Sequence, residues 1–234
     1  MLAALFDPFL SLLYPPRCLV CKTLGASGLC FTCAGLIAPV AAPFCAVCGH
    51  TLSDDRCANC AAQTPAFRRC RSLGIYDGVL RSAIHQFKYR DRPQLAGPLG
   101  HLLAEYARAQ ASDLNGLRFD ALLPVPMHSV RHRIRGYNQS ERLARVLGDA
   151  IGLLLLTQVL VRVRPTRPQV GLTADARRTN LRGAFVVKQP DLVYGKTLLL
   201  IDDVVTTGSS LHECAAMLNA AGAKAVYALT LAAG

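Results

Sequence analysis

From residue 71 onward the apolar positions change period several times, and each change marks an element. Residues 72–76 read as a strand, whereas 79–89 and 95–111 repeat apolar side chains at helical spacing. Residues 120–125 predict a buried strand stopped by Pro124 and Pro126, because proline cannot donate to a sheet ladder. Residues 139–151 predict a helix with Glu141 near its start, and 158–163 a strand. Residues 164–180 are polar, rich in Arg and Thr, and predict a long loop, followed by a short extended piece at 185–187. Residues 197–201 predict an all-apolar strand, 209–221 a helix closed by Gly222, and 224–231 a last strand. Strands alternating with helices imply an α/β fold with a parallel sheet flanked by helices. The unbroken apolar run 198–201 suits a strand covered on both faces.

The first 65 residues follow neither period. Residues 1–16 predict an amphipathic helix, whose apolar face suits packing on the fold better than a partner or membrane surface. This stretch lacks a basic start, is interrupted by Asp7 and Pro8, and precedes no small-residue cleavage site, so it does not read as an export signal. No apolar run reaches the roughly 18 residues needed to cross a bilayer. The longest, 150–163, is cut by Gln158 and Arg162. A cytoplasmic location is expected.

Residues 17–65 hold a different signal. Four C-x-x-C pairs, Cys18/Cys21, Cys30/Cys33, Cys45/Cys48 and Cys57/Cys60, repeat the same spacing twice, which marks a duplicated unit. Each half offers four thiolates, the number a tetrahedral structural zinc needs, so two zinc ions are expected. A single redox C-x-x-C would sit between a strand and a helix, which this Pro/Gly-rich stretch is not. So few residues bury little core, and the metal would supply folding free energy. The simplest ligation is sequential, with Cys18, Cys21, Cys30 and Cys33 on one ion and the other four on the second; an interleaved pairing meets the same count. His50 reads as a surface residue, and Cys70 and Cys214 as buried small apolar residues.

Composition adds limits. The chain has 234 residues, 52% of them hydrophobic, which excludes a disordered polypeptide and allows one full domain, 66–234, beside the small module. The formal charge is +11. Eight zinc-bound thiolates and two divalent ions would lower it to about +7. The excess therefore belongs to the larger domain, where 11 of the 21 arginines fall between residues 131 and 182. Such a face can track a nucleic-acid backbone, or can serve one small phosphorylated ligand.

The densest chemistry lies at 198–210, LLLIDDVVTTGSS. A buried strand leads to Asp202 and Asp203, and then to Thr206, Thr207, Gly208, Ser209 and Ser210, which open a helix. Ligands of open α/β sheets bind at the carboxyl ends of strands, and a helix N-terminus with exposed amides receives phosphate. Two carboxylates beside that cradle make sense if they bind vicinal hydroxyls or a magnesium ion. A competing nucleotide motif around Gly195-Lys196-Thr197 fails, because Pro190 stands where it needs glycine and the segment leads into a strand.

This stretch resembles the phosphoribosyl-diphosphate signature of type I phosphoribosyltransferases. Other segments narrow the likeness: Phe87-Lys88-Tyr89, 123–128 (LPVPMH), Arg131, Arg133, 135–139 (RGYNQ), 169–172 (QVGL), Arg177, Asn180 and 183–185 (GAF). With the cysteine module they are similar to the ComF/GntX family. That resemblance implies a double zinc ribbon joined to a phosphoribosyltransferase-like domain, with a role in natural competence, DNA uptake or DNA utilisation. It further implies phosphoribosyl diphosphate with Mg2+ as ligand, and single-stranded DNA and DNA-uptake proteins at the inner membrane as partners. In this reading Asp202 and Asp203 are the catalytic acids and Thr206, Thr207, Gly208, Ser209 and Ser210 hold the 5-phosphate. Arg131, Arg133 and Arg135 meet the diphosphate, and Gln169, Arg177 and Asn180 belong to a lid loop. A phosphoribosyltransferase and a non-catalytic adaptor binding the same ligand and single-stranded DNA would share these residues; a zinc-ribbon nucleic-acid binder would not need the acid pair.

Overall fold

The computed structural model describes residues 15–109, 117–166 and 173–234. The helix expected at 1–16 lies outside them except for residues 15 and 16, which are not helical, and the lid residue Gln169 lies outside them. The cysteine module contains two short helices, α1 (Phe31–Gly35) and α2 (Ala58–Ala62). The larger domain follows as β1 (Cys70–Ile75), α3 (Gly78–Tyr89), α4 (Ala96–Ala109), β2 (Ala121–Pro124), α5 (Ser129–Arg135), α6 (Gln139–Ile151), β3 (Leu160–Arg162), α7 (Ala174–Leu181), β4 (Phe185–Val187), β5 (Thr197–Val205), α8 (Ser209–Ala220) and β6 (Ala225–Ala233).

β5 sits inside a four-stranded parallel sheet of order β1-β6-β5-β2. Its side chains alternate between faces, as strand geometry requires. Leu198 and Leu200 enter a core with Phe185, Leu211 and Leu218, while Leu199 and Ile201 enter the opposite core with Phe87, Leu103 and Leu143. The uninterrupted apolar run is therefore buried on both faces, as expected. The β1 edge is covered by the cysteine module: Cys70 donates its N–H to Val47 O at 2.7 Å, and Ile75 to Ala38 O at 2.9 Å. That pairing removes an open edge that could recruit another chain.

Three expectations need correction. The strands expected near 158–163 and 185–187 do not join the parallel sheet; β3 and β4 pair with each other antiparallel. At three residues each they are too short to span the sheet, and Leu160 and Phe185 bury against its face. The expected loop 164–180 ends in helix α7, capped by the Thr173 hydroxyl, which accepts from Ala176 N at 3.3 Å. Its polar sequence carries no apolar period, so the cap was the only helical signal. Finally, β5 continues beyond Ile201, pairing Asp202 with Thr230 and Val204 with Ala232. The acids thus belong to the strand and are held by its ladder.

Candidate functional site

Each half of the cysteine module gathers its own four sulfurs. Cys18, Cys21, Cys30 and Cys33 lie within 4.8 Å of one another, as do Cys45, Cys48, Cys57 and Cys60. Sulfur–sulfur distances are 3.8 Å for Cys18–Cys33, 3.6 Å for Cys21–Cys30, 3.7 Å for Cys45–Cys60 and 3.4 Å for Cys48–Cys57. Tetrahedral zinc with bonds of about 2.3 Å places its sulfurs about 3.8 Å apart, so both groups fit the ion, with sequential ligation. Burial foremost pushes the Cys33 and Cys60 thiols up to about 12; a bound divalent ion would remove those protons and tie the turns together. Gly49, at φ +74°, is required where the second ribbon meets β1, because a Cβ there would lie 2.7 Å from Cys70 O. Cys70 and Cys214 are fully buried, as expected. His50 is not a surface residue: both ring nitrogens are buried, and desolvation lowers its pKa.

At the carboxyl end of the sheet a cleft of about 850 Å³ opens between β5, α3, α5 and α6. Asp202, Asp203, Ser210, Arg131, Arg133 and Arg135 all line it. Thr206, Thr207, Gly208 and Ser209 form the adjoining β5–α8 turn, with the Thr207 and Ser209 hydroxyls 2.7 Å apart. Gly208 takes φ +72° as the N-cap of α8, and the first helical bond is His212 N to Gly208 O at 2.8 Å. Amides ahead of such a bond have no intrahelical acceptor and are what a helix offers an anion. Asn180 lies in α7, and its backbone carbonyl accepts from Arg164 Nη2 at 3.0 Å. Arg177 is also in α7, but its side chain lies outside the described residues.

Four cleft residues carry chemistry that sequence reasoning left without a role. Lys88 Nζ pairs with Asp203 Oδ1 at 2.7 Å, and Ser140 Oγ donates to Asp202 Oδ1 at 2.8 Å. Gln139 accepts from Arg135 Nη1 at 2.6 Å through Oε1 and leaves Nε2 buried without a partner among the described residues. Arg162, on β3, closes the wall and leaves its Nε in the same condition, as Arg131 does its Nη2. Polar residues at the start of an apolar-faced helix, Gln139 and Ser140, were the available signal. The supporting scaffold is also polar: Asn138 donates to Val125 O at 3.1 Å, and the Tyr137 hydroxyl donates to Phe87 O.

The electrostatics are divided. Burial, then the neighbouring Asp203 charge, pushes the Asp202 carboxyl up to about 7 against the opposing pull of Lys88 and Ser140. Burial works against the Lys88 ammonium, but Asp203 and Asp202 outweigh it and hold its pKa above the usual value. Opposite, burial and then Arg131 bring the Arg162 guanidinium down to about 10. One wall therefore offers carboxylates that suit hydroxyls or a cation. The other offers unpaired donors that suit phosphate oxygens.

A parallel sheet with an acid pair and a glycine-containing turn at its carboxyl end, joined to two four-cysteine groups, defines a phosphoribosyltransferase-type domain carrying zinc ribbons. Comparison agrees: residues 112–234 match the phosphoribosyl transferase domain family and residues 9–72 the double zinc ribbon domain. The chain is 34% identical over 218 residues to the DNA utilization protein YhgH of Salmonella typhimurium, covering 91% of this chain and 94% of that protein. It is 32% identical over 224 residues to competence protein F of Haemophilus influenzae, covering 92% and 96%. It is 23% identical over 211 residues to competence protein ComFC of Bacillus subtilis, covering 87% and 83%. The chain belongs to the ComF family.

Proposed function

We propose that the cleft binds phosphoribosyl diphosphate with Mg2+ and that the protein is a phosphoribosyltransferase acting in DNA uptake or DNA utilisation. The observation that carries this reading is the pair Asp202 and Asp203, each fixed by its own partner, Ser140 and Lys88, beside the 206–210 turn. In the reaction the C1–O bond to diphosphate breaks, and its electron pair leaves with the diphosphate. An acceptor nucleophile then bonds to C1. Asp202 and Asp203 hold the ribose hydroxyls and stabilise positive charge building on the sugar. The 206–210 turn anchors the 5-phosphate, and Arg131, Arg133 and Arg135 receive the diphosphate. Mg2+, held at the carboxylates, would neutralise diphosphate charge. The segment holding Gln169, Arg177 and Asn180 would cover the cleft and exclude water.

The DNA role is supported by the names of the relatives and by the arginines between 131 and 182. Eight cysteines grouped as metal ligands and two buried thiols suit a reducing cytoplasm, where DNA-uptake proteins of the inner membrane would deliver a single strand. Among the described residues no helix is long and apolar enough to cross a membrane. The test is diphosphate release from phosphoribosyl diphosphate with nucleobases or single-stranded DNA as acceptors. Release above the rate of an Asp202→Ala/Asp203→Ala control supports transfer. Tight binding of the ligand without release under any acceptor contradicts catalysis and supports the adaptor role.

A further inference from the structure

The two ribbons are placed differently. The first reaches the helices: Gln86 Nε2 on α3 donates to Leu19 O at 2.8 Å, and Gly28 lies against Pro98 of α4. The second is built against the back of the 206–210 turn. Asn59, between the ligands Cys57 and Cys60, donates through Nδ2 to Thr206 O at 3.3 Å. His50 lies two residues beyond Cys48 in the same ribbon. Both its ring nitrogens are buried without a hydrogen bond among the described residues. Below the turn, the Phe67 ring lies 3.8 Å from where a Cβ on Gly208 would stand. The exit of the ribbon is tied to the first turn of α8, with Ala66 N donating to His212 Nδ1 at 3.2 Å.

We propose that the second ribbon is part of the phosphate site, with Asn59 as a positioning residue that fixes the backbone of Thr206 so that the turn is preformed for a sugar 5-phosphate. This rests on the phosphate reading of the turn given above. A glycine-containing turn that had to be ordered at binding would cost conformational entropy, and one held from behind does not. The second four-cysteine group thereby couples metal ligation to anion affinity, while the first ribbon serves the helices.

The test is calorimetric titration of the full zinc-loaded chain with three probes: ribose 5-phosphate, phosphoribosyl diphosphate with Mg2+, and inorganic diphosphate. Zinc content and melting temperature are measured alongside. Asn59→Ala is expected to weaken the two sugar phosphates about three- to tenfold, the worth of one hydrogen bond. It should keep two zinc ions and leave diphosphate affinity unchanged. Gln86→Ala, which removes the bond at the first ribbon, should keep all three affinities within about twofold. Cys57→Ser should lose one zinc ion and at least about tenfold in ribose 5-phosphate affinity. The inference is overturned if Asn59→Ala binds ribose 5-phosphate as the wild type does, if it weakens diphosphate equally, or if Gln86→Ala matches it. Unchanged affinity in Cys57→Ser after loss of zinc overturns it as well. If the wild-type chain binds neither sugar phosphate, the phosphate reading itself fails and takes this inference with it.

Discussion

Asp202 shows how one residue sets the pH behaviour of the site. Its carboxyl, raised to about 7 from an ordinary 3.8, keeps its proton in the folded state where the unfolded chain has lost it. The folded state therefore binds more protons between about pH 4 and pH 7, and stability falls as pH rises through that window. Asp202→Asn removes this cost. Its melting temperature should exceed that of the wild type at about pH 8, and the difference should vanish near pH 3.5. Ligand binding runs the other way: only the ionised carboxylate attracts Mg2+ or accepts two hydroxyl protons. Affinity for phosphoribosyl diphosphate with Mg2+ should therefore rise from about pH 6 to about pH 8, and the rise should be lost in Asp202→Asn. Calorimetry at three pH values checks both; a flat wild-type profile contradicts the assignment.

At the scale of elements, the two kinds of support differ. β5 is held by packing on both faces, so Leu200→Ala should cost about 2–5 kcal/mol, lowering the melting temperature by several degrees without changing zinc content. The ribbons have little core and depend on metal. A strong chelator should remove two zinc ions and unfold residues 17–65, seen as rapid amide exchange there, while β5 stays protected. These strengths also explain what could be read in advance. The 198–201 run, the cysteine spacing and the helix at 139–151 were legible because each rests on local periodicity or fixed ligand geometry. Helix α7 was not, because only Leu181 of its described side chains is fully buried and its register follows from the Thr173 cap. The pairing of β3 with β4 is set by tertiary contacts of three-residue segments, which carry too little pattern to choose a partner. Among site residues, Asp202 and Asp203 stood out as acids after four apolar positions, whereas Lys88 and Ser140 lie on other elements and meet the acids only through the fold.

Taken as a whole, the molecule places its ribbons along one side of a parallel sheet and Arg131, Arg133, Arg135 and Arg162 around the cleft at the sheet's carboxyl end. Four arginines thus line the cleft where an anionic ligand would enter, with Arg131 held close enough to Arg162 to disfavour its charge. Two guanidinium groups kept together against their repulsion, facing a carboxylate pair across a cleft, make sense with a ligand that has phosphate at one end and hydroxyls at the other. The arrangement is first of all one for binding. Its most direct test is titration of the zinc-loaded chain with phosphoribosyl diphosphate and Mg2+, beside Asp202→Ala/Asp203→Ala. The wild type should bind with one site per chain, and the double variant should lose at least about a hundredfold in affinity while keeping two zinc ions. Equal affinity in the two proteins would contradict the account.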